Sequence, residues 1–383
     1  MQMGNRYIFR AKNFLLRKRE SILLSRKIIT DSDKILLLKL DKIGDYILFR
    51  NFIEEVYKQQ KPSGKLVLCG NIAWKEIAEK LDGKFVSEFI WVDATRLGED
   101  LYKYSVYKKI RRAKCNKIIH CSYSRTDEFD KIVINSGAKD IIGFYGDETN
   151  LPAVIKKLND AKYTLLVPGS TECMFEFYRN KLFFEYIFKT KLEINKSYIK
   201  TNQSDTDNKA QYIVIFPGAG HDTRRWSTSN YAALCTLLFQ LYKLPILVCG
   251  AENEMQYAEE IIALSVGDVT NCMGKYSLYD TINIIQKAAL VVTNDSGSLH
   301  LAMALMIPTI CISNGNHFER FCPYPKAMNM PLVTIFPEEF ERKMEADKSL
   351  NSIRCKGSEL NINLITPDKV FNALKNSNLI KHD

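Results

Sequence analysis

Two short stretches constrain this chain more than any others: KLDKIGDYILF at 39–49 and VVTNDSGSLHLA at 291–302. Each follows an apolar, β-like run and opens a helix-like one. A strand that stops at Gly or Asp and restarts as a helix leaves backbone N–H groups and side chains at the carboxyl edge of a parallel sheet, where open α/β folds hold ligands. Two such edges predict two α/β domains. The length of 383 residues agrees, because it exceeds the size at which one hydrophobic core stops growing. With 46% hydrophobic and 26% charged residues the composition is globular, which excludes a mainly disordered chain.

Between Lys34 and Gly146 apolar runs (KILLLKL, KLVLC, FVSEFIWV, KIIHC, DIIGF) alternate with helix-like stretches at 45–60, 72–81, 99–113 and 127–136, the rhythm of a parallel sheet. A second series begins with YIVIF at 212–216 and continues through PILVC, ALVV and PTICI, with helices near 229–242, 253–265, 278–288 and 298–306. The expected boundaries are an arm at 1–31, a first Rossmann-like domain at 32–194, a polar linker at 195–209, a second Rossmann-like domain at 210–355 and a helical segment at 356–383. Residues 171–193 are aromatic-rich and read as a helix facing an acceptor.

Charge is concentrated at one end. Residues 1–30 hold eight Lys/Arg against one acid, Glu20, leaving +3 of the net +10 for the rest. Ile8, Leu15, Ile22 and Ile29 recur every seven positions, so a helix here is basic on one side and apolar on the other, fitted to an anionic membrane surface or to packing on the first domain. No companion recognition module supports nucleic-acid binding. The ten cysteines form no C-x-x-C or zinc spacing, which points to buried free thiols in a reducing, cytoplasmic compartment. No apolar run approaches the roughly 20 residues of a membrane span.

Four motifs carry chemistry. Asp45, after Gly44, reads either as a helix cap or as a base. In FPGAGHDTRRWSTSNYAAL at 216–234 a turn-prone loop brings Arg224 and Arg225 past a strand end, either as a solvated pair or as forks for phosphate. PILVCGAENE at 245–254 offers Glu252 just beyond a strand, as a helix-terminal acid or as a ribose acceptor. In VVTNDSGSLHLA the sequence Asp295-Ser296-Gly297-Ser298 is an N-cap series that also presents amides to a diphosphate, and His300 falls inside the helix as a core or cleft-lining side chain. The chain contains neither G-x-G-x-x-G nor G-x-x-x-x-G-K-[ST]. Its D-x-D strings at Asp31–Asp33 and Asp205–Asp207 lie in polar connectors, so no metal site is read.

In order and spacing over about 34–325, KILLLKLDKIGDYILF, FPGAGHDTRRWSTSNYAAL, CGAENE and NDSGSLHLAMAL resemble the heptosyltransferase family of glycosyltransferases. That resemblance implies a GT-B fold, two Rossmann-like domains facing a central cleft. It also implies inverting, metal-independent transfer of a heptose-like sugar from a nucleotide-diphosphate donor, ADP-linked, to a lipopolysaccharide-type, lipid-linked glycan. No cofactor is implied beyond that co-substrate. Asp45 would be the general base, with Gly44 and Lys42 on the acceptor side. Arg224, where many members carry lysine, would meet donor phosphate with Arg225, and Glu252 would hold the ribose. Asp295, Ser296, Gly297, Ser298 and His300 would surround diphosphate and sugar. The loop SNGNHFERFCPY at 313–324 departs from the family's Gly-Pro-Thr-Asp-Pro pattern. The expected place is the inner face of the cytoplasmic membrane, held peripherally through residues 1–30. The competing classes are a nucleotide-sugar epimerase of the same fold and a non-catalytic nucleotide-sugar or glycan-binding protein.

Overall fold

The structure, a computed structural model, describes residues 16, 18–60, 63–170, 172–200, 211–377 and 379–380. The chain divides into two compact units, each built on a six-stranded, wholly parallel sheet. In the first, β1 (Asp31–Lys39), β2 (Lys65–Asn71), β3 (Glu88–Val92), β4 (Cys115–His120), β5 (Asp140–Phe144) and β6 (Leu165–Val167) lie in the order β3-β2-β1-β4-β5-β6. In the second, β7 (Tyr212–Phe216), β8 (Ile246–Val248), β9 (Val269–Asn271), β10 (Ala288–Asn294), β11 (Thr309–Ile312) and β12 (Leu332–Ile335) lie in the order β12-β11-β10-β7-β8-β9. Read from its own first strand, each sheet is 3-2-1-4-5-6, the doubly wound Rossmann order, with a switch point at β1/β4 and at β7/β10.

These strands are continuous apolar runs because helices cover both faces of their sheets. Leu36, Leu37 and Leu38 of β1 are fully buried, as are Val291 and Val292 of β10, which pairs Val292 with Ile215 on one side and Ile310 on the other. The core of the second unit also takes in the C-terminal helix Pro367–Asn376, whose Val370 and Leu374 pack with Trp226 and Tyr231. Thr366 caps that helix through Lys369 N.

Three features differ from the sequence reading. The stretch expected as one helix at 45–60 is two, Ile43–Phe49 and Asn51–Gln59, and the first of them groups with the second unit, as do residues 170–181. Three edge strands, β6, β9 and β12, each of three or four residues, were not read from the sequence. The aromatic helix, Glu176–Phe188, puts part of its rings into the core, where Phe183 stacks on Phe144 at 3.9 Å and Phe184 on Phe52 at 5.4 Å, while Tyr186 stays exposed.

The cysteine expectation is corrected in part. Cys173 and Cys355, 182 positions apart, form a disulfide, and the other eight are buried free thiols. So wide a separation leaves no spacing signal. Most of the basic arm lies outside the described residues. Residues 18–25 are helical, and Leu23 packs on the first unit's core while Arg111 donates to Arg26 O. Ile29 lies past that helix and is 89% exposed, so the seven-residue repeat does not continue along one helical face. No helix among the described residues is long and apolar enough to cross a membrane.

Candidate active site

The carboxyl edge of β7 and β10 gathers most of the residues singled out in the sequence. After β10 the chain turns through Asp295 and Ser296 into the helix Gly297–Ala304, whose first-turn N–H groups have no partner within the helix. The turn is held by hydroxyls: Thr293 Oγ1 and Ser298 Oγ lie 2.6 Å apart, and Ser296 Oγ and Ser298 Oγ 2.8 Å. Ser296 and Ser298 therefore shape the turn with their side chains and leave the backbone amides to face outward.

Against this helix lies Ile43–Phe49, with Asp45 in its first turn. The N-termini meet: a Cβ on Gly44 would stand 2.6 Å from His300 Cδ2, and one on Gly297 would stand 3.3 Å from Ile43 Cβ. Gly44 and Gly297 thus serve a close helix–helix approach, and what Gly297 admits is the Ile43 side chain. At the far ends, Asn51 clasps the backbone of Tyr198 (Nδ2 to O, 3.1 Å; N to Oδ1, 3.0 Å), Arg50 donates to the same carbonyl at 2.6 Å, and Ile199 N reaches Ala304 O at 2.9 Å. Residues 195–200, expected to begin a free linker, are pinned here; 201–209 lie outside the described residues. Lys42, just before the helix, is exposed.

Burial sets the electrostatics. The Asp295 carboxyl is pushed up to about 6 by burial, against which the Arg224 guanidinium pulls it down. His300, 3% exposed, is pushed down to about 4 by burial and is neutral near neutral pH, its Nδ1 sharing a 2.8 Å hydrogen bond with Tyr324 Oη. Arg224 sits in a short 3₁₀ turn, Asp222–Arg224, and among the described residues its guanidinium makes no hydrogen bond. Arg225 is already engaged, by Asp222 at 2.6 Å and by the Tyr257 ring at 4.5 Å.

Glu252 is exposed, and the carboxylate that reaches the strand ends is Glu254. A Cβ on Gly218, beyond β7, would fall 2.3 Å from Glu254 Oε1, and one on Gly250, beyond β8, would fall 2.8 Å from Oε2. Two bare glycines make room for that carboxylate, which accepts from Ala251 N at 3.1 Å. Sequence reasoning missed it because CGAENE offers two acids and only the approach of the Glu254 carboxylate to Gly218 and Gly250 separates them. It also missed Asn294, one residue before the Asp295 series, and Tyr324, which marks its place only through His300.

Among the described residues no group of three or more His, Cys, Asp or Glu side chains is placed to hold a metal. Comparison with known proteins agrees with this architecture. The family description for glycosyltransferase family 9 (heptosyltransferase) matches residues 132–349, more than half of the chain. The lipopolysaccharide core heptosyltransferase OpsX of Haemophilus influenzae is 26% identical over 157 residues, 40% of this chain and 44% of that protein, so the match spans less than half the length of this curated relative. Two solved structures share the fold at 15% identity. One is the glycosyl transferase family 9 protein of Veillonella parvula (TM-score 0.69, covering 92% of this chain and 99% of that one). The other is E. coli heptosyltransferase WaaC with ADP-2-deoxy-2-fluoro heptose (TM-score 0.66, 90% and 99%). On the strand order of its two sheets and the extent of the family match, the chain belongs to glycosyltransferase family 9, the heptosyltransferases.

Proposed function

We propose that this chain is a glycosyltransferase that moves a heptose-like sugar from an ADP-linked donor to a lipopolysaccharide or related lipid-linked glycan. One observation carries the reading: at the β7/β10 switch point the Arg224 guanidinium, without a hydrogen bond among the described residues, the N-terminus of Gly297–Ala304 and the helix bearing Asp45 come together in one unit. An arginine and free amides suit a diphosphate, and a carboxylate beside them suits removal of a hydroxyl proton. The Haemophilus relative is named as a lipopolysaccharide core enzyme and the WaaC structure holds an ADP-heptose analogue; both support the choice of substrates.

In the mechanism we favour, Asp45 takes the proton of an acceptor hydroxyl as that oxygen attacks the anomeric carbon. The bond from that carbon to the diphosphate oxygen breaks in the same displacement, which inverts the anomeric centre. Arg224 and the first-turn amides of 297–298 neutralise the departing nucleoside diphosphate. Neutral His300 lines the place where Gly44 and Gly297 converge. Glu254 is the carboxylate we assign to the donor ribose, in preference to Glu252, because it lies at the ends of β7 and β8. Arg225, held by Asp222 and Tyr257, supports the loop. No step needs a metal, and chelation should leave turnover unchanged. The basic stretch 1–30 would keep the enzyme at the inner, anionic membrane face where a lipid-linked acceptor resides.

The test is transfer from ADP-heptose to a lipid-linked core acceptor. Asp45→Asn should lower turnover by about 10²–10⁴, as loss of a general base does, with ADP affinity retained. Turnover near that of the wild type would remove Asp45 from the chemistry.

A further inference from the structure

The loop between β7 and the helix Thr228–Tyr242 carries Arg224, yet little within the loop holds it. Its internal bonds all span three residues or fewer: Arg224 N to His221 O and Arg225 N to Asp222 O, both 3.0 Å, Thr223 N and Oγ1 to His221 Nδ1 at 3.4 and 2.9 Å, and the Arg225–Asp222 ion pair at 2.6 Å. From outside the loop, two buried asparagines bond its backbone. Asn294, the last residue of β10 and fully buried, donates from Nδ2 to Pro217 O at 2.7 Å and to Gly218 O at 3.3 Å, while its Oδ1 accepts from Trp226 N at 3.2 Å. Asn314, just past β11 and 1% exposed, donates to Thr223 O at 3.1 Å and to Ser358 O and Leu360 O at 3.4 and 3.3 Å, and accepts from Asn316 N at 3.2 Å.

We infer that Asn294 and Asn314 are positioning residues for donor binding, fixing the 217–226 backbone at both feet and at Thr223 so that Arg224 meets the diphosphate. This rests on the assignment of Arg224 to the donor. The amide is the side chain the position demands, because it alone among small groups offers two donors to carbonyls and an acceptor to an N–H from one plane. An aspartate of the same shape would face those carbonyls with like partial charge, and an alanine would leave them unpaired in a buried setting. Because the Arg224 guanidinium has no hydrogen bond among the described residues, its location is set by this backbone.

The experiment is calorimetric titration of the full chain with ADP, for wild type, Arg224→Ala, Asn294→Ala, Asn294→Asp, Asn314→Ala and the double variant Asn294→Ala/Arg224→Ala, with thermal melting to select folded proteins. Each asparagine variant should bind ADP about tenfold more weakly, and the double variant should lie within about twofold of Arg224→Ala, since residues acting through one contact are not additive. A purely structural role would lower melting temperature and multiply with Arg224→Ala. Wild-type affinity in folded asparagine variants, beside a weakened Arg224→Ala, would overturn the inference alone, as would multiplicative losses. A wild type that ignores ADP, or an Arg224→Ala variant that binds it normally, would overturn the donor-site assignment together with it. If the asparagine variants do not fold, hydrogen exchange in the wild type decides: the Trp226 amide should be protected, and exchange at the rate of a free amide would overturn the pinning.

Discussion

His300 and Asp295 sit at one site with opposed titrations, and this has a measurable signature. Burial holds His300 down to about 4, so the native protein refuses a proton that the unfolded chain takes up below its ordinary value near 6.5; His300 therefore costs stability as pH falls from 6.5 to 4. Asp295, up at about 6, keeps a proton that the unfolded chain has released, so its contribution is full below 3.8 and is lost as pH rises through 6. The two nearly cancel in the wild type between pH 4 and 6. His300→Gln should gain stability relative to wild type on going from pH 7 to 4, by up to about 3 kcal/mol, and Asp295→Asn should gain in the opposite direction. Denaturant midpoints across that range check it; parallel profiles for all three proteins would refute the burial argument. At this scale the sequence was a fair guide to position and a poor one to partner. The Asp295 series, Gly44 and Arg224 were all legible as strand-end residues, whereas the choice of Glu254 over Glu252 depended on two glycines 32 positions apart in the chain, Gly218 and Gly250.

The helix Ile43–Phe49 shows why elements were less legible than residues. Its seven residues have the apolar content of a continuing helix, and nothing in KIGDYILFRNF announces that it breaks at Arg50 and hands Asn51 to a distant segment. The break is a tertiary effect, because Arg50 and Asn51 spend their polar groups on Tyr198. Asn51→Ala should cost about 1–3 kcal/mol, the penalty of leaving the Tyr198 amide without its partner, and should loosen the pairing of this helix with Gly297–Ala304. Chemical denaturation measures the first effect, and amide exchange over 43–49 the second. The central strands were read correctly because apolar runs separated by long helix-like intervals leave few alternatives, while the edge strands β6, β9 and β12 are too short to carry a periodicity of their own.

At the scale of the whole molecule, charge and architecture separate. The two sheets are balanced in their cores, and the excess charge sits in residues 1–30, whose described portion rests partly on the first unit through Leu23 and Arg26. If the remainder meets anionic lipid, each Lys or Arg near the surface contributes about 1 kcal/mol and the effect is screened beyond a Debye length. Vesicle co-sedimentation should therefore show the full chain pelleting with anionic lipid at low salt, releasing at high salt, and losing binding when the chain starts at Ser32. Equal pelleting of both proteins, or indifference to lipid charge, would reduce the arm to packing material.

The seating of Ile43–Phe49 against Gly297–Ala304 also sets an order of events during synthesis. By the time Val167 leaves the ribosome every strand of the first sheet exists, and that sheet can close. The helix bearing Asp45 cannot finish with it, because its partner is translated about 250 residues after it, a wait of roughly 10–50 s at ordinary elongation rates. Cys173 likewise waits for Cys355, 182 residues after it. A ribosome that stalls between Val167 and residue 297 thus releases a chain with one complete sheet and an unpartnered apolar helix, a product that chaperones would bind and that could not have begun to work.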